Sequence, residues 1–170
     1  ALSLAGSGGN SVLGNAIGDA GFLPLPNQIG VSLLSPYNRV QDNLIAHSSL
    51  AGLLLSSESA HRNRVSGNQV IGGSGASSAG VQIMGAAHRN RIGPDNRIAH
   101  GDGDGIRVLS GSFNDLGGNL IYDNSGLGID LGTDGPDAND NDPLFDGNSS
   151  ANRGQNHPVL SLARRRVASP

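Results

Sequence analysis

Asp102, Asp104, Asp123 and Asp130 fall close together in the chain, with His100 and Arg107 among them. Glycoside hydrolysis needs two carboxylates roughly 5–10 Å apart, one as acid and one as base or nucleophile. A neighbouring imidazole can move a proton, and a guanidinium can hold an anionic sugar. These six residues are therefore the candidate catalytic group. A second group of oxygen donors follows: Asp134, Asp137, Asn139, Asp140 and Asp142. Calcium takes about six to eight oxygens from loops of this kind. An EF-hand register starting at Asp137 fails, because Asp142 replaces the glycine and Asn148 replaces the final glutamate. The run reads as an acidic cap loop that can bind calcium weakly, and no cofactor is required. Third, His61 and His88 each open a His-Arg-Asn-Arg phrase. Two stacked imidazoles can bind a metal, but the equivalent positions are read as Tyr37 and Phe113, so a column of mixed rings is expected instead.

What positions these residues is a phrase repeated about every 25 residues. It reads Asn-x-aliphatic-x-x-Asn-x-aliphatic, then a variable stretch, then Gly-aliphatic-x-aliphatic. Copies start at Asn10, Asn38, Asn63, Asn90 and Asn114, and their second halves start at Gly30, Gly52, Gly80, Gly105 and Gly128. Such a period marks a solenoid, in which no coil can bury its apolar face alone. Strand alternation assigns the faces. Val12, Val40, Val65, Ile92 and Leu116 form one inward column, and Ile17, Ile45, Val70, Ile98 and Ile121 a second. Val31/Leu33, Leu53/Leu55, Val81/Ile83, Ile106/Val108 and Ile129/Leu131 form a third pair. The repeated Asn is expected to form ladders, bonding its own turn and the Asn of the next coil. The glycine before each third strand fits a bend that needs positive φ or close backbone approach.

The same alignment weakens the catalytic reading. The outward column of the third strand runs Ser32, Leu54, Gln82, Arg107, Asp130, which stacks Arg107 beside Asp130. Arg91 stacks beside Asp115 in the same way. Opposite charges on neighbouring strands pair, worth roughly 0.2–1 kcal/mol each, so structural pairs are expected.

Composition bounds the rest. The chain has 170 residues, 27 glycines, 3% aromatics and no cysteine, which excludes disulfides and thiolate metal sites. Its aliphatic content and small net charge of −3 exclude a disordered chain. Residues 1–100 hold six Arg against four acidic residues (+2), and residues 101–170 five Arg against ten Asp (−5). That balance is no nucleic-acid footprint, and no apolar run approaches the ~18 residues of a membrane helix. The chain opens on Ala1 without a visible leader, as expected of a processed product or a piece of a longer protein.

The repeats resemble those of right-handed parallel β-helix proteins, the pectin-lyase-like superfamily. The stretch from Gly128-Ile129-Asp130-Leu131-Gly132-Thr133-Asp134-Gly135, the acidic run to Asp142, and Gly154-Gln155-Asn156-His157-Pro158-Val159-Leu160 are similar to one subgroup. That subgroup is the β-helix repeat region of large bacterial secreted and surface proteins, and the likeness covers about residues 8–160. It implies an extracellular or cell-surface location, neighbouring modules in a larger chain, and no single activity. Polygalacturonase signatures (Asn-Thr-Asp, Gly-His-Gly, Arg-Ile-Lys) and lysine are missing.

The expected fold is thus all-β: a right-handed parallel β-helix of five to six coils over residues 1–135, with an acidic cap loop, closing strand and tail over 136–170. The leading function is a structural or adhesive extracellular module, non-catalytic by itself, that touches polysaccharide or another cell-surface glycan. The alternative is a carbohydrate-active enzyme (hydrolase, lyase or uronate epimerase) using the acidic cluster. Nucleic acid and membrane insertion are not expected. The uncapped first coil, near Leu4–Ile17, is expected to allow end-to-end self-association.

Overall fold

A computed structural model describes residues 1–19, 24–76, 78–132 and 135. The described residues form strands, turns and bridges, with no helix, wound into a parallel β-solenoid of about five turns. Each turn visits three sheets. Sheet A has six strands: Leu2–Leu4, Asn27–Leu33, Ser48–Ser56, Ala79–Met84, Asp104–Val108 and Ile129–Leu131. Sheet B has four: Ser11–Leu13, Arg39–Gln41, Arg64–Ser66 and Arg91–Ile92. Sheet C has five: Ala16–Ile17, Leu44–Ala46, Gln69–Ile71, Arg97–Ala99 and Leu120–Tyr122. No described helix is long and apolar enough to cross a membrane.

The registers stack like on like, as the phrase predicts. Val12 pairs with Val40 and Val40 with Val65; Ile45 pairs with Val70 and Val70 with Ile98. Leu33, Leu53, Leu55, Val81, Ile83, Ile106 and Val108 are fully buried in the same core. Burial of each such side chain contributes about 1.5–3 kcal/mol, and the branched chains suit the pleated wall.

Both asparagine ladders form. In the first, Nδ2 of Asn10, Asn38, Asn63 and Asn90 donates to Oδ1 of Asn38, Asn63, Asn90 and Asn114 respectively. In the second, Asn15, Asn43, Asn68 and Asn96 do the same to Asn43, Asn68, Asn96 and Asn119. Buried amides must find partners, and here each coil supplies the partners of the previous one.

The residue before each ladder asparagine has a left-handed backbone. In the first ladder this is Gly9, Tyr37, Arg62, Arg89 and Phe113; in the second, Gly14, Asp42, Gly67, Asp95 and Gly118. A third corner is turned by Gly18, His47, Gly72, His100 and Asp123. By contrast, Gly30, Gly52, Gly80 and Gly105 lack positive φ, and close approach is what selects glycine there. A Cβ on Gly52 would lie 2.8 Å from the Gly80 carbonyl oxygen and would also collide with Val70 Cγ1.

Candidate functional site

The six candidate catalytic residues fall into three groups. The first is built on sheet A. Arg107 pairs in register with Gln82 on one side and Asp130 on the other. Its Nε donates to Asp104 Oδ2 at 2.6 Å and lies 3.6 Å from Asp130 Oδ2, and its Nη2 also contacts Asp104 Oδ2. The second oxygen of Asp104 accepts the Leu127 amide at 2.7 Å, across to the next coil. Side-chain exposure is 6% for Asp104, 5% for Asp130 and 18% for Arg107. Two carboxylates thus bracket one guanidinium, and both oxygens of Asp104 have partners within the protein. The sequence predicts the Arg107–Asp130 pair but not the clamp of Asp104 on Leu127. That clamp depends on the path of the turn before Gly128, which no repeat defines.

The second group is His100 and Asp123, stacked at the third corner. Their side chains are 53% and 70% exposed, with Nδ1 of His100 3.9 Å from Asp123 Oδ2. His100 meets the Tyr122 ring edge-on at 5.5 Å, and Arg97 Nη2 donates to the Tyr122 hydroxyl at 2.8 Å. Asp102 is the third: exposed, it accepts the Gly75 amide at 3.1 Å.

The histidine column differs by one residue from its sequence alignment. Tyr37 and Phe113 share the left-handed corner position with Arg62 and Arg89, not with His61 and His88. The two imidazoles stack on each other at 5.1 Å, and Tyr37 meets His61 edge-on at 5.6 Å. Arg62 lies over Tyr37 at 5.8 Å and Arg89 over Phe113 at 5.4 Å. Neighbouring rings hid this offset in the sequence, because both aromatic positions sit beside the ladder asparagine.

Burial, and then the charges of His88, Arg62 and Arg89, hold His61 below the ordinary imidazole value of 6.5. Folding therefore favours the neutral ring. Above about pH 6.5 folded and unfolded chains are both neutral at this site, and its contribution is complete. As pH falls below that value the unfolded chain takes up the proton first, and stability is lost. Replacing His61 by Gln is expected to flatten the acid limb of the stability profile just below about pH 6.5. Urea midpoints measured across that range check it; identical slopes for both proteins would refute it.

Among the described residues there is no group of three or more His, Cys, Asp or Glu that could hold a metal ion. The calcium candidates Asp134, Asp137, Asn139, Asp140 and Asp142 lie outside the described residues, as do residues 136–170.

A further column of like residues lies on sheet B. Arg39, Arg64 and Arg91 follow the first-ladder asparagine in consecutive coils and pair in register on sheet B. Their common slot in the phrase is the signal that reveals them.

A family model described as periplasmic copper-binding protein (NosD) matches residues 1–149. No curated protein and no solved structure gives a significant match. The periplasmic description agrees with the extracellular or cell-surface location expected from the sequence. With the match spanning most of the chain and the repeats wound as a parallel solenoid, the chain belongs to the NosD family, a periplasmic β-helix repeat family of the pectin-lyase-like superfamily.

Proposed function

We infer that this chain is a non-catalytic β-helix module working outside the cytoplasm, a rigid structural element that touches cell-surface polysaccharide. The observation that carries this reading is the Asp104–Arg107–Asp130 network. Both buried carboxylates pair with Arg107, and Asp104 also ties down the Leu127 amide. Groups held this way stabilise the last coils and do not present a free acid and base to a substrate. The remaining candidates, His100, Asp123 and Asp102, are exposed and stand as surface polar residues.

Copper, named in the family description, calls for converging imidazole, thiolate or thioether donors. The chain has no cysteine and one methionine. His61 and His88 stack face to face rather than converging, and Nδ1 of His88 bonds the Ala86 carbonyl at 3.2 Å. The described residues do not fit a copper centre.

Asparagine at Asp104 separates a module from an enzyme. Breaking a buried ion pair by removing one partner costs roughly 3–5 kcal/mol, and Asp104→Asn is expected to approach the lower figure because its amide oxygen can still accept from Leu127. Wild type and variant should both release no new reducing ends and no unsaturated products from neutral or acidic polysaccharides. Turnover by wild type that disappears in a still-folded Asp104→Asn protein would establish the enzyme reading instead.

The first strands of all three sheets, Leu2–Leu4, Ser11–Leu13 and Ala16–Ile17, have one strand neighbour each among the described residues. We expect such edges to add to another chain or to a neighbouring module. Light scattering over a concentration series checks this: mass should rise with concentration, and a constant monomer mass would sink it.

A further inference from the structure

We propose that the outer face of sheet B is a docking surface for a linear, carboxylated polysaccharide; this rests on reading the chain as a glycan-contacting module. Val40, Val65 and Ile92 point into the core, so Arg39, Arg64 and Arg91 point outward, and all three are exposed. They pair directly, Arg39 with Arg64 and Arg64 with Arg91. Neighbouring strands are ~4.8 Å apart, so three positive charges stand in a line along the solenoid axis. Like charges directly opposite one another destabilise a sheet. Only the ends of this line are moderated among the described residues. Arg39 Nε bonds Gln41 Oε1 at 2.7 Å, and Gln41 in turn bonds Asp42 at 2.8 Å. Arg91 lies 3.5 Å from Asp115, with both side chains more than half exposed. The Arg64 side chain, in the middle, has no hydrogen bond or ion pair among the described residues.

The same coils bring Arg62 and Arg89 to the corner that leads into sheet B, each lying over an aromatic ring. Beside the arginine line, Gln41 and Ser66 pair in register at the other outward position. A line of guanidinium forks suits planar carboxylates recurring along a chain, and the amide and hydroxyl beside it suit sugar hydroxyls. A nucleic acid fits less well. Tyr37 and Phe113 are about half exposed, but each already has a guanidinium over its ring, and the chain's net charge of −3 is not that of a nucleic-acid binder. This surface is distinct from the Asp104–Arg107–Asp130 network, which belongs to sheet A.

The test is affinity electrophoresis through native gels containing polygalacturonate, alginate or a neutral glucan, with folding checked by circular dichroism. Wild type should be retarded by the two acidic polymers and less by the glucan, with retardation weakening as salt rises. Arg64→Gln should weaken binding about tenfold, as expected for losing one charge-assisted contact, and the Arg39→Gln/Arg64→Gln double variant should weaken it further. Arg97→Gln, which removes an exposed charge from sheet C, should bind like wild type. Unchanged binding by the double variant, or equal loss in Arg97→Gln, would overturn the proposal. So would single-stranded DNA retained as well as alginate through the same arginines. Retention on the neutral glucan that ignores every arginine would keep the glycan module and discard this surface. Retention by none of the polymers would discard both.

Discussion

Replacing Asn68 by Ala is expected to lower the unfolding free energy by roughly 3–5 kcal/mol. Asn68 is fully buried in the middle of the second ladder. Its Nδ2 donates to the carbonyls of Val40 at 2.9 Å and Ser66 at 3.0 Å, and to Asn96 Oδ1 at 3.0 Å. Its Oδ1 accepts both the backbone amide and the Nδ2 of Asn43, at 3.0 and 2.9 Å. Alanine strips partners from groups on three consecutive coils at once. Each buried group left unpaired costs about 1–3 kcal/mol, and shared geometry keeps the total below a simple sum. Asn68→Asp should be worse at neutral pH. It keeps the acceptor for Asn43 but sets a buried carboxylate against three oxygens. Burial raises the folded-state pKa of such a carboxylate, so acid should recover part of the loss by restoring one donor. The same change at Asn10, exposed on the first coil and accepting no bond from a preceding ladder residue, should cost less than about 1 kcal/mol. Urea denaturation followed by circular dichroism measures all three. An Asn68→Ala loss no larger than that of Asn10→Ala would mean the ladder is not what holds successive coils together.

The ladder was legible in the sequence because every coil repeats the same solution. Asn38, Asn63, Asn90 and Asn114 each stand two residues before an aliphatic side chain, Val40, Val65, Ile92 and Leu116, and a fixed offset in a solenoid is a fixed place in space. The core columns follow from the same logic, and the observed registers place Val40, Val65 and Ile92 as the phrase does. What repeats less regularly was read less well. Tyr37 and Phe113 were aligned with His61 and His88 by ring type, whereas backbone conformation puts them beside Arg62 and Arg89. A left-handed corner is easily recognised when glycine fills it, as at Gly9, and is hidden when an arginine or tyrosine does. The candidate site shows the same division. Arg107 and Asp130 share a column, so their pairing was readable. Asp104, on the strand's first residue, reaches Leu127 through a turn that occurs once, and sequence spacing carries no information about that reach. His100 and Asp123 share the left-handed corner position of successive coils and stack there.

Gly52→Ala tests the other structural rule of the coil, and here the sign of the effect is diagnostic. Gly52 sits inside the strand Ser48–Ser56 without positive φ. At such a site alanine ordinarily stabilises by about 0.4–1 kcal/mol, because it restricts the unfolded chain. The packing reverses that expectation. An added Cβ would lie 2.8 Å from the Gly80 carbonyl oxygen and would overlap Val70 Cγ1. The carbonyl belongs to the next coil of sheet A and the valine to sheet C, so neither can yield without spreading the coil. Overpacking of this kind costs typically about 1–3 kcal/mol, and the net loss is expected near the upper end. Val70→Ala alone should cost about 2 kcal/mol through the cavity it leaves. Combined with Gly52→Ala it should cost less than the two losses added, by about 1 kcal/mol, since the valine branch is one of the two obstructions. The remaining loss is then assigned to the carbonyl, which no side-chain change removes. A stabilising Gly52→Ala would show that the coil can expand at this corner. It would also mean that the glycine column of Gly30, Gly52, Gly80 and Gly105 is not what sets how closely sheet C approaches sheet A.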